Sequence, residues 1–312
     1  MRRFLVKLAV FGASLYLVCV TACFFIKDKW LAQSELRVEN FKRERLAKTA
    51  GSRIILVGGS NLKYGVDSPR LECAIGRPVV NMGLHAGLGI VYSLNHVRRH
   101  IHPGDCVVAC PEFANFDDSG SCYGSEVLVS LLTDIRPSES VDLPFAGWLH
   151  HLLSVPTLGA KKVMRALKLR PGPAPEDLNQ WNAQGDYTAH WSCEKSFLAP
   201  LDQRGRPGSA YKSPEAMKAY LTTVAKEVKD RGGRFVLLPP AYRRAAYLKD
   251  KAYYDALQRD LQESGVGFAK PIERYTFEDG LMYDTAYHLN GRGVALRTNM
   301  LVVDIKEALA DE

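Results

Sequence analysis

The chain is 312 residues long, room for one large domain or two ordinary ones, and 46% of it is hydrophobic and 24% charged. Those proportions belong to a folded globular body and exclude a disordered chain, a collagen-like repeat and a polytopic membrane protein. The formal net charge is +7, but +4 of it sits in residues 1–30, which leaves about +3 elsewhere and no concentrated basic face for a nucleic acid.

From Leu8 to Ile26 there are 19 residues without a charge. As a helix rising about 1.5 Å per residue, that run is long enough to cross a bilayer core. A cleaved signal peptide has a shorter apolar stretch followed by small residues, whereas this run continues through Phe24, Phe25 and Ile26. The reading is therefore an uncleaved single-pass anchor over residues 1–30, in contact with the membrane through residues 8–26. Inside it, Val20-Thr21-Ala22-Cys23 is similar to a bacterial lipobox, the alternative that would lipidate Cys23; the bulky residues after that cysteine count against it. Basic residues flank both ends of the run, so the positive-inside rule alone does not orient it.

Residues 31–50 are polar, charged and free of Pro and Gly, and predict a helical stalk. The body follows from residue 51 to 312. Apolar runs at Arg53–Gly59, Pro78–Asn81, Asp105–Pro111 and Arg234–Leu238 read as buried strands, with a further short one near Val266–Ala269. Helices are expected over Leu88–Ile101, from Ser213-Pro214-Glu215 to Gly232-Gly233, around Tyr254, Leu257 and Leu261, and from about Arg292 to Leu309. The first of the later helices has a capping hydroxyl, a proline in its first turn and an acid near its positive end. Continuous apolar strands alternating with amphipathic helices imply a mainly parallel sheet covered on both faces. Residues 117–210 do not fit this alternation. They hold Trp148, Trp181 and Trp191 and only short helical patterns such as Gly159–Leu169, and read as an insertion or lid.

Seven cysteines are present, two of them in the apolar run. No C-x-x-C metal spacing occurs, and neither a metal nor a cofactor is called for. Cys106 and Cys110 share one face of a strand and read as packing residues; Cys122 and Cys193 would bridge in an oxidising compartment.

Ligands of an open parallel sheet bind beyond the carboxyl ends of its strands. Ser60 stands immediately after strand one, Gly83 follows strand two in Asn81-Met82-Gly83, and Asp284 and His288 stand in Asp284-Thr285-Ala286-Tyr287-His288-Leu289-Asn290 before the last helix. A serine nucleophile needs a base oriented by a third group, and Ser60, His288 and Asp284 supply those roles. The resulting oxyanion needs at least two donors, for which the backbone N–H groups of Ser60 and Gly83 are the candidates. Each residue also has a plainer reading: Ser60 and Asp284 as helix caps, His288 as a structural hydrogen bonder.

This arrangement resembles the SGNH (GDSL-like) hydrolase superfamily, particularly members anchored in bacterial membranes and tied to envelope polysaccharides. The resemblance spans roughly residues 51–116 and 212–310, with Gly59-Ser60-Asn61 at the nucleophile block, Gly83 at the glycine block and Asp284 with His288 at the final block. It implies a three-layer α/β/α, flavodoxin-like domain, an extracytoplasmic location at a bacterial inner membrane, and esterase or O-acyl (acetyl) transfer chemistry on an acylated glycan. The sequence departs from the pattern in three places. Gly58-Gly59 precedes Ser60 where Gly-Asp is usual, the last pair is one residue wider than D-x-x-H, and no G-x-N-D block follows strand three. There the chain reads Pro111-Glu112-Phe113-Ala114-Asn115, in which Asn115 would replace the missing donor and Glu112 would orient a neighbour or a substrate hydroxyl. If that donor is absent, the second reading is a catalytically silent glycan-binding or scaffold subunit. Trp181, Trp191 and Tyr187 suit either sugar stacking or a satellite core, and Tyr242, Arg243 and Arg244 would suit an anionic sugar.

Overall fold

The computed structural model describes residues 1–26, 34–116, 122–171, 177–201 and 211–310. The parts of the predicted anchor, stalk and insertion on residues 27–33, 117–121, 172–176 and 202–210 lie outside the described residues. The chain divides into two compact units, Met1–Arg37 with Cys122–Asp177, and Val38–Ser121 with Leu178–Glu312.

In the second unit the four apolar runs become strands β1 (Ile54–Gly58), β2 (Val79–Asn81), β3 (Cys106–Cys110) and β4 (Arg234–Leu237). They form a parallel sheet in the order β2-β1-β3-β4, with Ile54 beside both Val79 and Cys106. Every residue of β1, β2 and β3 is buried, which is why those runs are continuously apolar rather than alternating. The unit is thus mixed α/β around a central four-stranded parallel sheet.

The register of β1 and β3 is pinned at their starts. Arg53 and Asp105 have fully buried side chains and pair at 2.5 Å, and the Arg53 N–H donates to the same carboxylate at 2.9 Å. Beyond β1 lie the short helix α3 (Ser60–Lys63), α4 (Ser68–Ile75) and α5 (Ile90–Val97). Asp67 caps α4 by accepting from the Arg70 N–H, and Gly76, at φ +75°, ends it in the left-handed conformation that glycine adopts freely. Further helices are α8 (Glu215–Asp230), α9 (Arg244–Lys249), α10 (Lys251–Glu263) and α11 (Gly291–Ala310). Leu301 and Ile305 of α11 join Ile54, Leu56, Val108 and Val236 in the core beneath the sheet.

Several expectations change. The segment expected as a helical stalk is a helix from Val38 to Lys48 (α2), and what the sequence did not indicate is that Val38, Glu39, Lys42 and Leu46 are buried. Its cations serve the open side of edge strand β2: the Lys42 ammonium donates to the Asn81 carbonyl at 2.7 Å, and the Arg45 guanidinium to the Val79 carbonyl at 2.9 Å. An edge strand carries unpaired carbonyls, and α2 satisfies them. Ser213 does not cap α8. Its hydroxyl donates to the Asp260 carboxylate, which also accepts from Lys218, and Pro214 takes the N-cap position. The strand expected near Val266–Ala269 makes one ladder-like bond, from the Ala269 N–H to the Leu237 carbonyl. Gly265, at φ +80°, turns the chain just before it. An unanticipated parallel pair joins β5 (Tyr242–Arg243) to β6 (Thr276–Phe277).

In the first unit, α1 (Arg2–Phe25) has a mean hydropathy of 2.2 over its most apolar window. It is long and apolar enough to cross a membrane or to act as a signal sequence. The insertion supplies α6 (Glu126–Ser130) and the 22-residue α7 (Phe145–Ala166), much longer than the Gly159–Leu169 pattern because it runs through Pro156. Among the described residues no disulfide is formed, so the bridge between Cys122 and Cys193 is not made.

Candidate active site

β1 ends at Gly58, and Gly59 carries the chain in extended conformation to Ser60, the first residue of α3. A Cβ on Gly59 would lie 2.6 Å from Glu112 Oε1 and 3.0 Å from the Ala86 Cα, so glycine is needed here for close approach. Glu112 follows β3 by two residues and fills that space. The Ser60 hydroxyl donates to Glu112 Oε1 at 3.0 Å, and the Asn61 N–H donates to the same oxygen at 3.1 Å. From α11 the fully buried Arg297 donates to the Asn61 carbonyl at 2.5 Å and to Asn61 Oδ1 at 3.0 Å. The turn bearing Ser60 is thereby tied to the third strand and the last helix.

The second half of the site is the loop before α11. Met282 and Leu289 bridge in antiparallel fashion, and the Tyr283 N–H donates to the His288 carbonyl at 2.8 Å. Between them Thr285 Oγ1 accepts from the N–H groups of Tyr287 and His288. This turn absorbs the extra residue in D-x-x-x-H, and His288 Nδ1 lies 2.7 Å from Asp284 Oδ1. Burial raises the Asp284 carboxyl pKa, but the hydrogen bond and charge of His288 outweigh it and hold the group below the usual aspartate value. The His288 ring stacks on Tyr64, with centroids 4.2 Å apart and planes 22° apart. Tyr64 in turn closes α3 by donating its N–H to the Ser60 carbonyl at 2.9 Å.

The structure therefore brings Asp284 to His288 and Ser60 to Glu112. Ser60 and His288 make no hydrogen bond with each other: the hydroxyl is spent on the Glu112 carboxylate, which Gly59 admits. The other expected donors are also engaged. The Gly83 N–H donates to Asn81 Oδ1 at 2.9 Å. Asn115 is buried, accepting from the Ile90 N–H at 2.9 Å to start α5 and donating to the Glu112 carbonyl at 3.1 Å. Among the described residues no hydrogen bond occupies the Ser60 N–H.

Sequence reasoning missed Tyr64 and His190. His190 is 2% exposed and its Nε2 lies 2.9 Å from the Tyr64 carbonyl, while its Nδ1 is buried without a partner. Burial pushes its pKa down to about 4, so the ring is neutral. Tyr187 stacks on His190, and Trp181 meets Tyr187 edge-on. These aromatics form a packed cluster with the Lys63 ammonium 5.1 Å from both the Trp181 and Tyr187 rings. The only sequence signal was their density after residue 180. Arg243 forks onto the Asp279 carboxylate at 2.7 Å through two nitrogens, which occupies the side chain considered for an anionic sugar.

No family model, no curated protein and no solved structure matches this chain. The chain carries a mixed α/β unit that presents an aspartate–histidine pair beside the turn that follows its first strand.

Proposed function

We propose that the chain is a serine-dependent ester hydrolase or O-acyltransferase acting on an acylated envelope or exported polysaccharide, held at a bacterial inner membrane by α1 with its α/β unit outside the cytoplasm. The proposal includes a three-layer, SGNH-like arrangement of that unit. The observation that carries it is the 2.7 Å Asp284–His288 hydrogen bond, with the imidazole stacked on Tyr64 one helical turn from Ser60. A carboxylate on Nδ1 fixes the tautomer that leaves Nε2 as the base. For the reaction, the Ser60 hydroxyl turns from Glu112 to that nitrogen and attacks the acyl carbonyl. The alkoxide of the substrate sugar leaves with the proton that His288 has taken. Water, or a second sugar hydroxyl, then releases the acyl group from Ser60. The Ser60 N–H is the available oxyanion donor.

A specific observation favours the second reading, a catalytically silent glycan-binding or scaffold subunit: Glu112, Asn81 and Ile90 already occupy the Ser60 hydroxyl, the Gly83 N–H and the Asn115 amide oxygen. A fluorophosphonate probe separates the two. Under the first reading it labels Ser60, and Ser60→Ala and His288→Ala abolish release of acetate from 4-nitrophenyl acetate while the protein still melts cooperatively. An unlabelled Ser60 with glycan retained by the protein supports the second.

A further inference from the structure

Within the first unit, α7 has three distinct faces. Gly147, His151, Val155, Leu158, Gly159 and Lys162 are buried. A second stripe, at helical spacing, leaves Phe145, Trp148, Leu149, Leu152 and Leu153 exposed, Phe145 at 79% and Leu153 at 62%, and reaches the exposed Leu167 just past the last residue of the helix. The third face carries His150, Thr157, Lys161 and Arg165, the last two paired with Glu126 of α6.

The buried face meets α1 near the end of its uncharged run. A Cβ on Gly159 would overlap the Cys19 carbonyl oxygen, so the backbones cross in close contact there. Val155 and Leu158 pack with Cys23 and Val20. The fully buried Lys162 ammonium donates to the Cys23 carbonyl at 2.5 Å and pairs with Asp134 at 2.6 Å. Cys23 is one helical turn from Ile26, after which Lys27 ends the apolar run. If α1 spans a bilayer, the waist of α7 sits at the depth where hydrocarbon gives way to headgroups. The flanks of α7 agree: Arg136 and Glu139 precede it and Lys168 and Arg170 follow it, charges that place both ends at a polar boundary.

We infer that α7 is an interfacial membrane helix, lying in the headgroup region beside α1 with its Phe145–Leu167 stripe against the acyl chains. The occupant of that stripe is lipid, because α7 packs at Gly159 against an α1 that itself leaves Leu15, Leu17, Val18 and Phe24 exposed, and because tryptophan, leucine and flanking basic residues are the composition of such helices. The predicted insertion is then, over this part, a second membrane contact.

The inference rests on the anchor reading of α1, and the test keeps the two apart. The full-length protein is reconstituted into phosphatidylcholine–phosphatidylglycerol vesicles carrying a diazirine on the acyl chain, and the photolabelled positions are mapped by mass spectrometry. Label is expected on α1 and on the α7 stripe, about tenfold above that on His150 and Thr157. In a Leu149→Glu, Leu153→Glu variant, which changes exposed positions only, α7 label is lost while α1 label and the melting transition persist. Label on α1 with none on α7 overturns the inference and leaves the anchor standing. Absence of label on both removes the anchor and the inference together. A stripe that cross-links to a second copy instead of lipid, or a double variant that keeps its α7 label, also overturns it.

Discussion

Glu112 restrains the candidate nucleophile. Its carboxylate accepts from the Ser60 hydroxyl and the Asn61 N–H, and a hydrogen bond to a charged acceptor is roughly twice as strong as one to a neutral group. Glu112→Gln keeps an acceptor oxygen but removes the charge, so Ser60 should turn more readily toward His288. We expect fluorophosphonate labelling of Ser60 to speed up several-fold in this variant; an unchanged or slower rate would show that Glu112 does not hold the hydroxyl back. His190 provides a second prediction at this scale. Its folded pKa of about 4 lies below the ordinary 6.5, so between those values the unfolded chain binds a proton that the native ring does not. Stability therefore falls as pH drops from about 6.5 to 4, by on the order of 3 kcal/mol. His190→Phe should flatten that part of the urea midpoint-versus-pH curve, and an equally steep decline in the variant would exclude His190 as its source. Of these residues, Ser60, Asp284 and His288 were legible because each sits in a local pattern at a strand or helix end. Glu112 was marked only as a residue that would orient some neighbour; that the neighbour is Ser60, 52 residues away, was not legible.

At the scale of elements, close backbone approach and one buried ion pair hold the site's scaffold. Gly59→Ala forces a Cβ to within 2.6 Å of Glu112 Oε1 and 3.1 Å of the Ala86 nitrogen. The expected cost is about 1–3 kcal/mol, read as a lower urea midpoint with unchanged slope. Arg53→Ala strands the Asp105 carboxylate, which is 1% exposed and accepts from the Arg53 guanidinium at the sheet's entry. Breaking a buried pair from one side costs about 3–5 kcal/mol, so this variant should lose far more stability than Lys226→Ala, whose exposed pair with Asp230 contributes little. If the two variants melted alike, the buried pair would not be what fixes the β1–β3 register. Helix α2 shows what a local pattern leaves out. Its polar residues, free of Pro and Gly, were legible as a helix, but not that Lys42 and Arg45 donate to carbonyls of an edge strand that begins more than 30 residues later.

Over the whole molecule, the retention of α1 is itself testable. An anchor predicts that protein recovered from the membranes of cells that make it still yields α1 peptides and resists alkaline extraction; a cleaved signal sequence predicts mature protein lacking residues 1–26. The sequence by itself determined the apolar N-terminal helix, the parallel sheet and the Asp–His pair, because hydrophobic runs, turn residues and short spacings act over one or two turns of chain. Tertiary structure alone decided that the insertion contributes a long helix packed on α1, that Ser60 is held by a carboxylate from the loop after the neighbouring strand β3, and that Gly83 and Asn115 spend their donors on the protein itself. Those outcomes depend on which distant polar groups meet when the chain closes, and buried donors and acceptors must be paired there whatever their local sequence suggests.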